Sequence, residues 1–301
     1  MNDVALLGMA LLGIGVLTGV TTVLFGFGGG FVAVPVVMWA NTALGADAIR
    51  VATATSALVM LVNAAFATAV TPRRVLAALR GSGPLLVLLA AGGAAGALAS
   101  RHAPAAQAHW GFVGYVALTL VDLLLRPGFL RPHGPGGPGG PDGPGGPGGP
   151  GGPGGQRRAG QGVRTREGQR DVPRPLPAVL GAPIGALAAF LGVGGSVLTV
   201  PALRRAGHPM RRATALANPL TLAITLPAAA LSLNATGVTV AHAHPQLAGL
   251  VDLRAAGALL LGALPVIAVL RRRPPRIPDR AYAWSYLALL GVVEVAMLLV
   301  G

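Results

Sequence analysis

The chain contains no cysteine and no lysine, and only 11% of its 301 residues are charged. The absence of cysteine excludes disulfides, thiolate metal ligands and thiol nucleophiles. Soluble domains carry about 25% charged residues, so the low charge argues against a soluble fold. Aromatic residues are also scarce, and the arginines lie between apolar segments rather than among aromatics. We therefore expect no nucleic-acid partner, despite the net charge of +14.

Apolar sequence, in contrast, is abundant, with 53% hydrophobic residues and a mean hydropathy of +0.66. It forms stretches of about 20 residues, the length at which a helix crosses a bilayer. These stretches cover residues 51–70, 83–100, 213–233 and 281–300, with shorter ones at 110–125 and 255–270. The first residues lack the positive charge of a signal peptide, so we expect the first apolar segment to belong to the mature protein. The sequence predicts an all-α polytopic membrane protein in the cell (inner) membrane, with the lipid bilayer as its surroundings.

A glycine cluster occurs twice within this apolar sequence. Residues 25–35 read FGFGGGFVAVP, and residues 191–201 read LGVGGSVLTVP. Glycines at these densities break a helix where the apolar run would otherwise continue. A second match joins residues 50–54, RVATA, to residues 211–215, RRATA. We interpret the chain as two related halves, each with a broken membrane segment near its start.

The composition changes abruptly between the halves. Residues 134–155 are almost pure Gly-Gly-Pro repeat, and residues 156–174 are polar and rich in arginine. The run is short, and glycine often fills a neighbouring position as well, so a collagen helix is disfavoured. The sequence predicts a disordered, extended linker at 126–175 between a first transmembrane repeat at 1–125 and a second at 176–301.

The arginines distinguish two topologies. If each broken segment crossed the membrane once, the 23 arginines would divide almost evenly between the two faces. If each segment turns back at its glycines, the loops near residues 76, 150, 208 and 275 share one face, and only Arg50, Arg101 and Arg254 lie opposite. The positive-inside rule favours the second arrangement. It predicts a cytoplasmic linker and two inverted repeats, each a broken, re-entrant helical hairpin plus three transmembrane helices.

Backbone amides at the glycine breaks are candidate ligands for an anion. Free N–H groups at the positive end of a helix attract an anion without any charged side chain. In transporters built from inverted repeats, such discontinuous helices meet near the bilayer midplane around the substrate. We therefore predict a small anionic substrate, held by the breaks and by polar side chains that follow them. The candidate substrate-binding residues are Gly28, Gly29, Gly30, Thr53, Thr55, Ser56, Gly194, Gly195, Ser196, Thr214 and Asn218.

A packing role is the alternative for each of these residues. Glycines also let membrane helices approach closely, which is the role we assign to the pairs Gly92/Gly96 and Gly181/Gly185. Intramembrane hydroxyls often bond their own helix. Asn63 and Asn234 are weaker candidates for the site.

Ionisable residues are few within the apolar segments. Glu294 lies deep in the last one without a partner nearby in sequence, which suggests a role in proton coupling. The histidines at 102, 109, 242 and 244 fall in predicted loops without a metal-binding arrangement, and we interpret them as solvated. We predict no metal, no cofactor and no catalytic residues, and hence no enzyme.

The duplicated breaks with their downstream prolines, the segments at 50–56 and 211–218, and the two-half layout resemble the TauE/SafE sulfite exporter family of membrane transporters. The family's Thr-Ser pair is kept at Thr55-Ser56 but replaced by Leu216-Ala217. The resemblance implies a secondary transporter of sulfite, sulfonates or similar anions across the bacterial inner membrane by alternating access. A membrane scaffold or accessory subunit and a passive anion channel stay open as alternatives, and so does a homo-oligomer.

Overall fold

The computed structural model describes residues 2–26, 28–125, 176–205, 210–235, 247–272 and 279–300. The predicted linker at 126–175 and two of the histidines, His242 and His244, lie outside these ranges. The helices are α1 (Asn2–Phe25), α2 (Gly30–Ala40), α3 (Ala48–Ala69), α4 (Arg73–Leu76), α5 (Gly83–His102), α6 (Ala105–Leu125), α7 (Gly181–Leu191), α8 (Ser196–Arg205), α9 (Met210–Leu233), α10 (Leu253–Arg272) and α11 (Asp279–Val300). Short 3₁₀ turns cover Thr42–Asp47, Ala77–Leu79 and Ala178–Leu180.

The predicted all-α membrane architecture is confirmed. Within the described ranges, six helical segments are long and apolar enough to cross a membrane: Gly8–Phe25, Thr42–Ala69, Gly83–His102, Ala105–Leu125, Arg212–Leu233 and Leu253–Arg272. Shorter apolar helices cover Gly30–Ala40, Ala178–Leu191 and Trp284–Val300. A two-residue antiparallel ribbon, β1 (Leu247–Ala248) and β2 (Val251–Asp252), precedes α10. Helix α1, which precedes the first glycine break, is therefore long enough to span the membrane by itself. The glycine motif alone did not indicate this length.

Both predicted helix breaks are present. Gly26, Gly28 and Gly29 have φ angles of +74°, +63° and +84°, and Gly192 and Gly194 have +69° and +77°. Residues with a Cβ rarely adopt this left-handed conformation, whereas glycine does so without steric penalty. The glycines therefore end α1 and α7 and let the chain start a new helix a few residues later.

Close helix packing through glycine occurs twice, in matching places. Gly92 and Gly96 of α5 lie directly against the backbone of Ala182 and Ala186 in α7. Added Cβ atoms at either glycine would overlap the carbonyl oxygens of those alanines. The contacting residues follow the same order along both helices, so α5 and α7 run parallel. The packing role predicted for Gly92/Gly96 is confirmed, as expected for membrane interfaces rich in small residues.

The corresponding contact in the rest of the bundle joins α1 to α10. Gly15 and Gly19 of α1 lie against the backbone of Leu259 and Ala263 in α10, again with the same chain direction. Each broken segment therefore begins with a helix that packs in parallel on a helix of the other half.

Helices α3 and α9 form the centre of the bundle. They contact each other, α2 packs against α3, and α8 packs against α9. Of the apolar windows, 67% of residues are buried in α3 with its preceding turn and 56% in α9, against 33% in α5, α6 and α10. Most of the hydroxyl and amide side chains on α3 and α9 are consequently removed from both lipid and water.

At one end of the bundle, which we call the Arg50 end, hydrogen bonds connect several helix termini. Asn41, just after α2, donates its Nδ2 to the Asp252 Oδ2 at 3.1 Å. The other Asp252 oxygen accepts the first amides of α10 at 3.0 Å. Arg50 at the start of α3 donates its Nη2 to the Ala103 carbonyl between α5 and α6, at 2.9 Å. The end of α2 therefore lies at the same end of the bundle as the start of α10.

Candidate functional site

Each glycine break packs against the central helix of the other half. A Cβ atom at Gly26 would lie 2.9 Å from the Thr214 carbonyl of α9, and one at Gly192 would lie 2.9 Å from the Ser56 Oγ and the Thr53 Cα of α3. Thr53 and Thr214 are equivalent in the repeated segment, so the two breaks make the same contact in exchanged halves. Both irregular segments are thereby buried in protein, which avoids the high free energy of exposing such backbone to lipid.

The start of α2 is a buried helix N-terminus. Its N-cap residue is Gly29, and no described side chain caps it. The Ala33 amide donates to the Gly29 carbonyl at 3.1 Å. The amides of Gly30 and Val32, which precede this bond, find no acceptor within the helix itself. These amides, rather than those of Gly28 and Gly29, are therefore the first-turn donors of α2.

The start of α8 has the same form. The amides of Leu198 and Thr199 both donate to the Gly195 carbonyl, at 3.2 and 2.8 Å, which leaves those of Ser196 and Val197 ahead of the first bond. Ser196 and Val197 are 0% and 1% exposed. Buried helix ends need partners for these amides, and ligands are one source of them.

Four buried polar atoms around the breaks have no hydrogen-bond partner among the described residues: the Asn63 Oδ1, Ser196 Oγ, Thr199 Oγ1 and Thr221 Oγ1. The Asn63 Nδ2 donates to the Gly28 carbonyl at 3.1 Å, so only its oxygen is free. The Thr221 methyl lies 3.5 Å from a Cβ position at Gly28, which places both side chains beside the first break.

Unpaired buried polar groups are unfavourable by about 1–3 kcal/mol each. All four residues are uncharged, and three of them carry hydroxyls that can donate to an anion. Each break therefore combines a buried helix start with unpaired hydroxyl groups, that of Thr221 beside the first break and those of Ser196 and Thr199 at the second, an arrangement suited to a small oxyanion.

The chain matches the family model of the sulfite exporter TauE/SafE over residues 11–297. It belongs to this family. Membership in the TauE/SafE family, a family of transporters, together with the six apolar spans, establishes a multi-pass protein of the cell membrane. No curated protein and no solved structure matches the chain.

Most hydroxyls predicted from the sequence hold protein groups in this TauE/SafE protein. The Thr53 Oγ1 donates to the Arg50 carbonyl at 3.0 Å within its own helix. The Thr55 Oγ1 accepts the Asp252 amide at 2.9 Å, away from the breaks. The Ser56 Oγ lies 2.9 Å from the carbonyls of both Thr53 and Gly192. Of these three side chains, Ser56 is the one whose hydroxyl contacts a glycine break, and it does so by holding the Gly192 carbonyl.

Two candidates of the second half, Thr214 and Asn218, lie along one side of α9. Asn218 donates its Nδ2 to the Thr214 carbonyl at 3.2 Å, and its Oδ1 is buried without a partner in the described residues. Thr214 lies against Gly26. A Cβ at Gly195 would overlap the Ile224 side chain, so the second break packs on the same helix.

Sequence reasoning missed Thr199 and Thr221 and gave Asn63 little weight. Thr199 follows Ser196 by one helical turn, and Thr221 follows Asn218 by one turn. This spacing places each pair on one face of its helix, so it brings both threonines beside predicted site residues but does not show whether their hydroxyls are free.

Two ionisable residues lie apart from the breaks. Glu294 is half-buried on α11, which packs against α6 and α2, and its Oε2 has no partner in the described part of the chain. The interpretation of His109 as a solvated loop residue is wrong: it lies within the first turns of α6 and is 8% exposed. His102 is exposed. No group of three His, Asp, Glu or Cys residues within the described ranges has the arrangement of a metal site.

Proposed function

We propose that the protein is a secondary transporter that moves a small sulfur-containing anion, such as sulfite or a sulfonate, across the cell membrane by alternating access. The observation that carries this proposal is that each glycine break packs on the central helix of the other half and leaves a buried helix start beside unpaired hydroxyls. Family membership supports the substrate class. Neutral donors suit an anion that must also leave, since each contributes less than a buried ion pair does.

The anion would lie between the two glycine breaks. The amides at the starts of α2 and α8, those of Gly30 and Val32 and of Ser196 and Val197, would donate to its oxygens. The hydroxyls of Ser196, Thr199 and Thr221 would complete the site. Ser56, Thr53, Thr55, Thr214 and Asn218 would hold the breaks and helices in place rather than contact the anion.

We further propose that the halves at 1–125 and 176–301 are inverted repeats. Two pairs of matching contacts support this. Helix α1 packs on α10 as α7 packs on α5, and Gly26 contacts Thr214 as Gly192 contacts Thr53. The bond between Asn41 and Asp252 supports a re-entrant first hairpin, since α10 starts at that end and runs parallel to α1. Rocking of one repeat against the other would expose the site to each face in turn.

Glu294 is our candidate for proton coupling. An ionisable side chain with an unpaired oxygen in a membrane helix is uncommon, and such residues often mark proton pathways.

Transport is tested with purified protein in liposomes that contain unlabelled sulfite and receive a trace of radiolabelled sulfite outside. An alternating-access carrier exchanges the two and transiently accumulates label, whereas a channel only lets label equilibrate. We expect Ser196→Ala to lower the apparent affinity about tenfold or more, because it removes a hydrogen bond to a charged ligand. Ser232→Ala is the matched control, since the Ser232 hydroxyl is buried but bonds its own helix at the Ala228 carbonyl, 2.8 Å away.

Each alternative function has its own result in this assay. Absence of any sulfite or sulfonate flux and binding would indicate a scaffold or accessory subunit. Flux without counterflow would indicate a passive channel. Equal losses in the Ser196 and Ser232 variants would show that the binding site lies elsewhere.

A further inference from the structure

Met60 of α3 lies across the first turn of α2, at the first glycine break. The residue is 1% exposed. A Cβ atom at Gly30 would overlap the Met60 Sδ, Cγ and Cε atoms. The thioether therefore fills the space that the missing Gly30 side chain leaves open, beside an amide that is one of the proposed donors to the anion.

Met60 and Thr221 are equivalent positions in the two halves. Each follows the threonine of its repeated segment, Thr53 or Thr214, by seven residues. The structure brings both side chains to Gly28, where a Cβ atom would lie 3.4 Å from the Met60 Cγ and 3.5 Å from the Thr221 Cγ2. The central helices α3 and α9 therefore face the first break with unlike side chains, a thioether from one half and a threonine from the other.

The start of α8 differs from the start of α2 in the same respect. Ser196 takes the place of Gly30 in the repeated motif and begins α8. Its side chain ends in a hydroxyl, whereas the space beside Gly30 holds the Met60 thioether. An anion between the two breaks would consequently meet hydroxyls on one side and an apolar side chain on the other.

We infer that Met60 is a specificity-determining residue, which selects inorganic sulfite against sulfonates that carry an alkyl group. This inference rests on the proposed central site and narrows its substrate class. Sulfite and a sulfonate present the same three oxygens and differ in the fourth position on sulfur, which holds a lone pair in sulfite and a carbon in a sulfonate. With the oxygens at the amides and hydroxyls, this fourth position faces Met60.

The packing around Met60 explains the selection. Protein interiors are close-packed, and added methylene groups force their neighbours to shift. The Met60 side chain fills the space in which an alkyl group would lie, so an alkyl sulfonate must displace it whereas sulfite need not. Differences of this size in a packed pocket discriminate between ligands by about tenfold or more.

The test compares the affinities of sulfite and ethanesulfonate for the purified full chain, obtained from thermal unfolding at graded ligand concentrations. The wild-type protein should bind sulfite at least about tenfold more tightly. Met60→Ala removes the Cγ, Sδ and Cε atoms beside Gly30 and should lower this ratio of affinities about tenfold, the change expected from burying the two carbons of ethanesulfonate. Each ligand keeps its charge in every variant, so a change in the ratio reports on the space beside the break.

Two controls separate this space from other effects. Met60→Leu keeps nearly the same volume and should keep the wild-type ratio, which distinguishes filling of the space from the chemistry of the sulfur. Met297→Ala makes the same truncation at a residue that is 0% exposed in the apolar core on α11, and it should also keep the ratio.

Two further variants address the fit at Gly30 and the folding of the test variant. Adding Gly30→Ala to Met60→Ala returns a methyl group to the freed space and should restore discrimination against ethanesulfonate. Met60→Val shortens the side chain and leaves a smaller cavity. It should lower the ratio in the same direction and serves as the test if Met60→Ala does not fold.

Three results would overturn the inference: a wild-type ratio in both Met60→Ala and Met60→Val, an equal change in Met297→Ala, or tighter binding of ethanesulfonate than of sulfite by the wild-type protein. Failure of the proposed central site is distinguishable, because Ser196→Ala would then keep the wild-type affinity for sulfite. If only the role of Met60 is wrong, Ser196→Ala still weakens sulfite binding while the ratio in Met60→Ala stays unchanged.

Discussion

Two buried threonines one turn apart on α9 allow a proposed ligand-binding hydroxyl to be compared with one that is bonded within its helix. Thr221 and Thr225 are 0% and 1% exposed. The Thr225 Oγ1 donates to the Thr221 carbonyl at 2.9 Å, whereas the Thr221 Oγ1 has no partner among the described residues. Valine replaces each hydroxyl by a methyl group with little change of shape, so the pair Thr221→Val and Thr225→Val compares the two hydroxyls directly.

The two variants should have opposite effects on the protein without ligand. An unpaired buried hydroxyl is unfavourable by about 1–3 kcal/mol, so Thr221→Val should leave the free energy of unfolding unchanged or raise it by up to this amount. Thr225→Val loses a hydrogen bond within a membrane helix, and such bonds contribute about 0.6 kcal/mol on average. It should therefore lower stability slightly.

Ligand binding should show the reverse order. Hydrogen bonds to charged groups contribute about 1.5–3 kcal/mol, so loss of the Thr221 hydroxyl should weaken sulfite binding about ten- to hundredfold. Thr225→Val should keep the wild-type affinity. The assay is thermal unfolding of the purified protein at graded sulfite concentrations, which yields both the stability without ligand and the ligand-dependent shift.

A clear loss of stability in ligand-free Thr221→Val would refute this reasoning, because it would mean that the hydroxyl has a structural partner. A wild-type sulfite-dependent shift in the same variant would also refute it, because the hydroxyl would then not contact the anion.

Three further predictions address packing, coupling and topology. Gly92→Leu should lower stability by about 1–3 kcal/mol, because its Cβ would overlap the Ala182 carbonyl. Gly114→Leu is the control, since Gly114 has open space around it and the variant should keep the wild-type stability. Thermal unfolding measures both variants, and equal losses of stability would contradict the packing role. Glu294→Gln should retain sulfite exchange in liposomes but lose any stimulation by a pH gradient, and unchanged stimulation would exclude Glu294 as the coupling group. Single cysteines at the exposed positions Ala43 and Ala78 should react with an impermeant maleimide from outside and inside respectively, and labelling of both from one face would disprove the double-hairpin topology.

Local sequence was enough to locate the helix breaks and one helix contact. Gly26 to Gly29 and Gly192 to Gly194 include positive φ angles that residues with a side chain rarely tolerate, so a glycine cluster within apolar sequence strongly indicates a helix break. The Gly92/Gly96 contact was equally predictable, because small residues four apart on a membrane helix form a groove for a neighbour.

His109 was misassigned because a helix boundary was misplaced. The apolar segment was taken to begin at residue 110, yet α6 starts at Ala105, because Pro104 and the alanines after it form a good helix start. With this helix start, His109 is a buried residue of α6 and not a loop residue. Helix boundaries shift by a few residues easily, and a polar residue near a boundary changes its surroundings completely when they do.

The amino-acid sequence by itself determined that this chain is a helical membrane protein with two broken segments in related halves, because hydropathy and glycine conformation are local properties. Which hydroxyls are free was decided only by the tertiary structure. Thr55 and Ser56 are neighbours in a hydroxyl-rich helix, yet one receives the Asp252 amide and the other lies at the Gly192 carbonyl, while Thr221 has no partner in the described residues. The partner of such a hydroxyl lies across a helix interface, far away in the chain, and no local pattern specifies it.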